Sequence, residues 1–130
     1  MHPAQRTHFG VDAALVGAVE RVADGEATAA LVATTEMAAD ERGLVHGGFT
    51  FGLADYAAMV AVNDPHVVLG ASSCRFLAPV RVGERMVATA RVTAEKGRRR
   101  VVAVSVSVGD MVVLDGELTT FVLDGHVLDL

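Results

Sequence analysis

Residues 48–62, GFTFGLADYAAMVAV, carry only three polar side chains, Thr50, Asp55 and Tyr56. A helix that is apolar nearly all round cannot lie along a surface, so the rest of the chain has to enclose it. The tripeptide Asn63-Asp64-Pro65 ends it with an asparagine suited to a left-handed cap and a proline that cannot continue the turn. A helix over about 47–62 is therefore predicted, and the fold is whatever can wrap it.

Period-two alternation shows what does the wrapping. In residues 85–95, Met86, Ala88, Ala90, Val92 and Ala94 fall on one face, with Arg85, Thr89, Arg91, Thr93 and Glu95 on the other. That is the pattern of a strand with one buried face. Residues 101–109 repeat it, with Val102, Val104, Val106 and Val108 set against Ser105 and Ser107. Gly97 supplies the turn between them. After Gly109-Asp110, residues 111–123 read as a further strand, irregular around Asp115-Gly116, and residues 66–77 are strand-like as far as Pro79. Short turns between these four segments predict an antiparallel meander. Asp24-Gly25 predicts a hairpin between strands at about 16–23 and 26–35, and residues 11–16, VDAALV, a short helix. The expected class is α+β: five or six antiparallel strands around a central helix, as one domain over residues 1–130.

With 52% apolar and 21% charged residues, the chain folds rather than staying disordered. Its net charge of -5 speaks against nucleic acid as a partner. An anionic ligand would need local arginines, and all the basic residues except Lys96 are arginine. Asp55 interrupts the longest apolar run, which falls short of the roughly 18 residues a membrane span needs. The N-terminus, MHPAQRTHFG, has no apolar segment to serve as a secretory signal. A single cysteine, Cys74, forms no internal disulfide, and together these features predict a cytoplasmic protein without membrane contact. Cys74 has no basic partner beyond Arg75 and reads as a strand residue, not a nucleophile. His2, His8, His66 and His126 show no metal-ligand spacing, so no metal is expected.

Asp55 is the exception inside the apolar helix. Its helical neighbours Phe51, Gly52, Ala58 and Met59 cannot pair with a carboxylate. A buried, unpaired charge costs several kcal/mol, so the acid needs polar partners, water or a reactant. Either it bonds a main-chain group or a neighbouring subunit, or desolvation raises its pKa into the range of a general base. At the start of the same helix stand His46, Gly47 and Gly48. Free N–H groups and the positive end of the macrodipole make that turn a candidate oxyanion hole. Gly47 and Asp55 are eight residues apart, about 12 Å along the axis. One carbonyl cannot lie within roughly 3 Å of both. If both serve one substrate, they come from different chains, and the protein is at least a dimer. Arg98, Arg99 and Arg100 read either as bidentate phosphate ligands or as a solvated hairpin tip.

The motif G-L-V-H-G-G-x5-L-A-D at residues 43–55, followed by R-F-L-A-P-V at 75–80 and the valine-rich strands, resembles the hotdog-fold acyl-CoA thioesterases of the PaaI-like, phenylacetate-pathway branch. The likeness covers roughly residues 12–123. It implies a homodimer with a continuous sheet and active sites at the interface, often doubled to a homotetramer, and an acyl-CoA substrate with no separate cofactor. Carried over by position, the Gly47 N–H polarises the thioester carbonyl, and Asp55 acts as general base or nucleophile. His46 flanks the thioester, and Ser73 helps place the attacking water. Gly48 and Asp40 are substrate-binding positions, the latter an Asn in many relatives. In an enzyme of this kind Phe49, Phe51, Tyr56 and Met59 are the expected lining of the acyl pocket, and of the two readings of Arg98, Arg99 and Arg100 the phosphate-ligand one would make them the CoA contacts. Hydrolysis of a small or medium acyl-CoA, aromatic ones included, is thus expected. The alternative is a hotdog protein that binds acyl-CoA without chemistry.

Overall fold

The helix of residues 47–62 forms, and the strands close round it. In the computed structural model, which describes residues 2–130, the elements are β1 (Ala18–Ala23), β2 (Glu26–Val32), α1 (Gly47–Val62), β3 (Val67–Phe76), β4 (Arg85–Lys96), β5 (Arg99–Val108) and β6 (Met111–Val122). All six strands join one antiparallel sheet in the order β1-β2-β4-β5-β6-β3. α1 lies chiefly on β4, β2 and β5 at its centre.

The core follows the alternation. Ala27, Ala29 and Leu31 of β2, Met86, Ala88 and Ala90 of β4, Val102, Val104 and Val106 of β5, and Leu114 and Leu118 of β6 are all buried in one cluster with Leu53, Ala54, Ala57, Ala58, Met59 and Val60 of α1. Alanines on both partners let the helix approach the sheet closely, and dense packing then leaves little tolerance for added volume.

The other side of α1 is held by the N-terminal segment. Asn63 caps the helix in the left-handed region at φ 57°, its N–H donating to the Met59 carbonyl at 2.9 Å. Its side chain accepts from the Arg6 N–H at 2.8 Å and donates to the Ala4 carbonyl at 2.9 Å. Gln5 Nε2 donates to the Tyr56 hydroxyl at 3.0 Å.

Three expectations need correction. The four later strands do not form a simple meander, because β3 pairs with β6 at the far edge and not with β4. β2 already occupies the free side of β4, from Glu26↔Arg91 to Val32↔Arg85, and alternation carries no information on which strands pair. Residues 11–16 make a single turn, not a helix: the Asp12 side chain accepts the Ala14 N–H at 2.8 Å and its carbonyl the Val16 N–H at 2.8 Å. Gly17, at φ 130°, stops it there. β2 ends at Val32, and residues 35–37 form a 3-10 turn that buries Met37.

β3 is an edge strand with Ala71, Ser72 and Ser73 exposed. Its register shifts between Leu69 and Ala71. Gly70 lies under the Phe121 ring there, where a Cβ would stand 2.5 Å from Phe121 Cε2. Further along, a Cβ at Gly116 would stand 2.3 Å from the Ser73 carbonyl oxygen and 2.8 Å from Cys74 Sγ. Gly116→Ala must therefore push β3 off β6 and should cost about 3 kcal/mol, as overpacking against backbone does. Urea unfolding of the variant checks this; an unchanged midpoint would contradict the close β3–β6 contact.

Candidate active site

The first turn of α1 is exposed at one end of the fold. His46 is the N-cap with φ -62° and ψ 129°, and its side chain makes no capping hydrogen bond. Its main chain is fixed instead, the N–H donating to the Met37 carbonyl at 2.9 Å and the carbonyl accepting from Phe49 at 3.1 Å. Among the described residues no acceptor takes the N–H of Gly47 or Gly48, as the start of a helix requires. The two glycines are tightly covered. A Cβ at Gly47 would lie 3.3 Å from the Phe76 ring, and one at Gly48 would lie 3.0 Å from His46 Nε2. The His46 ring therefore folds back over Gly48 and meets Phe49 edge-on at 6.2 Å. Gly47 opens onto a groove of about 450 Å³ lined by Val45, Thr50, Phe76, Leu77, Ala78, Pro79 and Val80.

Asp55 sits two turns further on. Its Oδ1 is buried with no hydrogen-bond partner, and burial raises its pKa above the ordinary carboxylate value. Desolvation is the cause, since the charged form loses hydration that nothing replaces.

Burial along α1 reveals how these points connect. Thr50, Leu53, Ala54 and every residue from Tyr56 to Ala61 are buried, whereas Gly48, Phe51, Gly52 and Asp55 are not. Their spacing of three and four residues puts them on one face of the helix. At Gly52 an added Cβ would meet nothing within 4 Å. A strip that is small at Gly48 and Gly52 and flanked by Phe51 thus runs from the first turn of α1 to the carboxylate. Gly52 is a residue the sequence reading passed over, although the Gly48, Gly52, Asp55 spacing was visible.

The other expected residues divide. Phe49 and Phe51 are half-buried at this end. Met59 is fully buried in the core and Tyr56 is tied to Gln5, so neither lines an open pocket in this chain. Both occupy helix faces turned to the sheet and the N-terminal segment. Ser73 pairs with Glu117, which pairs with Ala103, on the face of the sheet turned away from α1. Ser72, opposite the buried Leu118, takes the helix side instead. The bulge beside Gly70 causes this exchange, because a one-residue slip reverses every side chain beyond it. Asp40 Oδ1 is engaged by its own loop, accepting the N–H groups of Arg42 at 2.9 Å and Leu44 at 3.2 Å. Arg98 is paired with Asp124 and Arg100 with Glu95. Their turn lies beside the end of β6, beyond the C-terminus of α1 and away from Gly47. Among the described residues no three His, Cys, Asp or Glu side chains are placed to hold a metal, and no helix is long and apolar enough to cross a membrane.

A family model described as the thioesterase superfamily matches residues 42–115, which takes in the first turn of α1, Asp55 and β3. The chain belongs to the thioesterase superfamily. Its fold is the hotdog arrangement of the PaaI-like thioesterases. An uncharacterised protein, PH1136 from Pyrococcus horikoshii, is 50% identical with a TM-score of 0.95, covering 96% of each chain. The E. coli PaaI protein from the phenylacetic acid degradation operon has a TM-score of 0.73 at 24% identity over 79% of this chain and 80% of that one, a likeness of fold. Among curated proteins, a methylthioribose-1-phosphate isomerase from Aquifex aeolicus is 45% identical over 92% of this chain but only 26% of its own length. The transcription factor FapR of Bacillus velezensis is 34% identical over 75% of this chain and 53% of its own length. The chain thus spans about a quarter of the first and about half of the second.

Two outcomes follow from the geometry. A folded-state carboxyl pKa above the unfolded one means that the native state holds its proton longer, so stability falls as pH rises from the unfolded pKa through the folded one. Asp55→Asn should therefore be nearly silent in acid and raise the melting temperature at neutral pH, which thermal melts across pH will show. Gly52→Leu should fold with normal stability, since space is open there, yet block the strip. Its KM or kcat for any thioester substrate should worsen at least tenfold, and a variant with wild-type kinetics would contradict a role for the strip.

Proposed function

We propose that this thioesterase-superfamily protein hydrolyses small or medium acyl-CoA thioesters, aromatic ones included, to the free acid and CoA. The observation that carries this reading is Asp55 Oδ1, a buried carboxylate oxygen with no partner on the central helix. Buried polar atoms as a rule have a partner, and a reactant or a second chain would supply the one that this oxygen lacks here.

In the proposed reaction, water attacks the thioester carbonyl carbon while Asp55 takes its proton. The N–H of Gly47 receives the developing oxyanion, with His46 beside it. Collapse breaks the C–S bond, and the proton passes to the departing thiolate, leaving acid and CoA. The raised pKa of Asp55 makes it a stronger base than a free carboxylate, and the rate should rise with pH as it ionises. Direct attack by Asp55 on the carbonyl is the variant of this mechanism that the same residue also supports.

The roughly 12 Å between Gly47 and Asp55 calls for two chains. The exposed edge of β3 is suited to pair with the same edge of a second copy about a two-fold axis, extending the sheet. Such pairing turns the oxyanion end of one protomer toward the Asp55 of its partner, and a second doubling would give a tetramer.

The similarity to a transcription factor over its matched half favours one second reading, an acyl-CoA binding module without turnover. Free-thiol release from a panel of aromatic, short and long acyl-CoAs separates the two, because a binding module holds the ester intact. Under hydrolysis, Asp55→Ala should lose at least about a hundredfold in kcat, the usual contribution of a general base. Mixing folded Asp55→Ala subunits with subunits disabled at Gly47 should restore part of the activity. If subunits exchange and none returns, the shared site is wrong.

A further inference from the structure

The N-terminal segment that pins α1 also roofs a small hollow on that side of the helix. The hollow holds about 150 Å³, and its walls include Gln5, His8, Phe9, Val11, Val19 and Tyr56. It shares no residue with the groove at Gly47. A cavity of that size takes about one six-membered ring. Phe9, Val11 and Val19 give such a group an apolar wall, and Phe9 at the rim is exposed.

Hydrogen bonding leaves two polar atoms here with capacity to spare. Gln5 is buried, and its Nε2 meets the Thr7 carbonyl at 2.9 Å, the His8 carbonyl at 3.4 Å and the Tyr56 hydroxyl at 3.0 Å. Carbonyl oxygens only accept, which fixes the amide with its nitrogen on this side. The Tyr56 oxygen therefore accepts, and its own proton is left to donate. Among the described residues no acceptor takes it. His8 Nδ1 is engaged by Thr7 Oγ1 at 2.9 Å, while its Nε2 has no partner among the described residues. His8 is also held in the left-handed region at φ 59°, where residues other than glycine are uncommon and cluster at ligand sites. Its ring centroid lies 6.5 Å from that of Tyr56, so both rings border one space.

We propose that this hollow binds a small monocarboxylate, one oxygen accepting from the Tyr56 hydroxyl and the other from His8 Nε2, with a ring or branched carbon chain against the apolar wall. A carboxylate out of water needs an opposite charge. His8 is the one lining residue that can carry it: Tyr56 is the other titratable group, and the residues from the turn before β1 and from β1 itself are uncharged. Burial by itself lowers the His8 pKa, whereas a carboxylate beside the ring raises it. Binding therefore takes up a proton, and affinity falls as pH rises. The acid product proposed above belongs to this ligand class, yet binding here needs neither Asp55 nor Gly47.

Calorimetric titration of benzoate, isobutyrate and the neutral benzamide into the full chain tests the site. At least one acid should bind, tightening by about threefold or more from roughly pH 8 to pH 6. Benzamide should bind about tenfold more weakly than benzoate, because it brings no charge. His8→Asn keeps a residue that tolerates positive φ, and Tyr56→Phe removes only the hydroxyl. Each should weaken the acid about tenfold, the scale of a charge-assisted hydrogen bond, and His8→Asn should also flatten the pH dependence. Proton NMR adds a readout that a purely structural role would not move: the His8 ring resonances, assigned by their loss in His8→Asn, should shift as the acid is added. Matching thermal melts will show that the variants keep the fold; if Tyr56→Phe loosens the segment, His8→Asn and the wild-type resonances still decide. Failure of both acids to bind at millimolar concentration, or unmoved His8 resonances, would overturn the site. So would affinity that survives both substitutions and is lost in Gly52→Leu, which places the acid on the exposed strip of α1 instead.

Discussion

The enclosure of α1 is the constraint on which the rest depends. A helix with so little polar surface is stable only when covered on all sides, and here the sheet covers one side and the N-terminal segment, pinned through Gln5 and Asn63, another. Small residues on both partners bring helix and sheet close, and that closeness strips water from Asp55. The cost is met by the surrounding apolar burial, where each large side chain removed from water contributes about 2 kcal/mol. The same packing that stabilises the fold therefore sets the chemistry of its one buried acid.

What remains uncovered on α1 is as informative as what is covered. Gly48, Gly52 and Asp55 form a strip with Phe51 beside it, and it starts at the two helix N–H groups without acceptors. At that end the groove by Gly47 has apolar walls and adjoins a hollow lined by Asp40, Arg42, Leu44, Pro79 and Arg81. Gly47 and Asp55 stand too far apart along the helix to meet one small group within one chain, and the bare edge of β3 is the part of the sheet left open to a second chain.

Much of this was legible before any coordinates. Alternation in residues 85–92 and 101–108 located two strands and their buried faces, because burial on one side of a pleated sheet imposes a period of two; beyond Val92 a register shift against β5 breaks the period and leaves Ala94 exposed, not buried as its place in the pattern implied. The Asp24-Gly25 pair located a hairpin, and Asn63 located the helix end. The likeness of residues 43–55 and 75–80 to hotdog thioesterases named the family and pointed at Asp55 and Gly47. Pairing partners were not legible, since a valine-rich strand is equally suited to any neighbour, and β3 was set beside the wrong one. The face of Ser73 was not legible for a related reason: it is set by the register shift between Leu69 and Ala71, where Gly70 lies under Phe121, a residue of β6 far away in sequence.

Taken alone, the amino-acid order determined that an enclosed helix would carry an acid and that one-faced strands would have to wrap it, since both follow from local patterns of polarity. Tertiary structure decided which strand lies at the edge, which serine faces the helix, and that Met59 and Tyr56 are committed to the interior. It also decided which arginines stay unpaired. These depend on contacts between segments far apart in the chain, where packing and charge pairing are settled by proximity that no local pattern encodes.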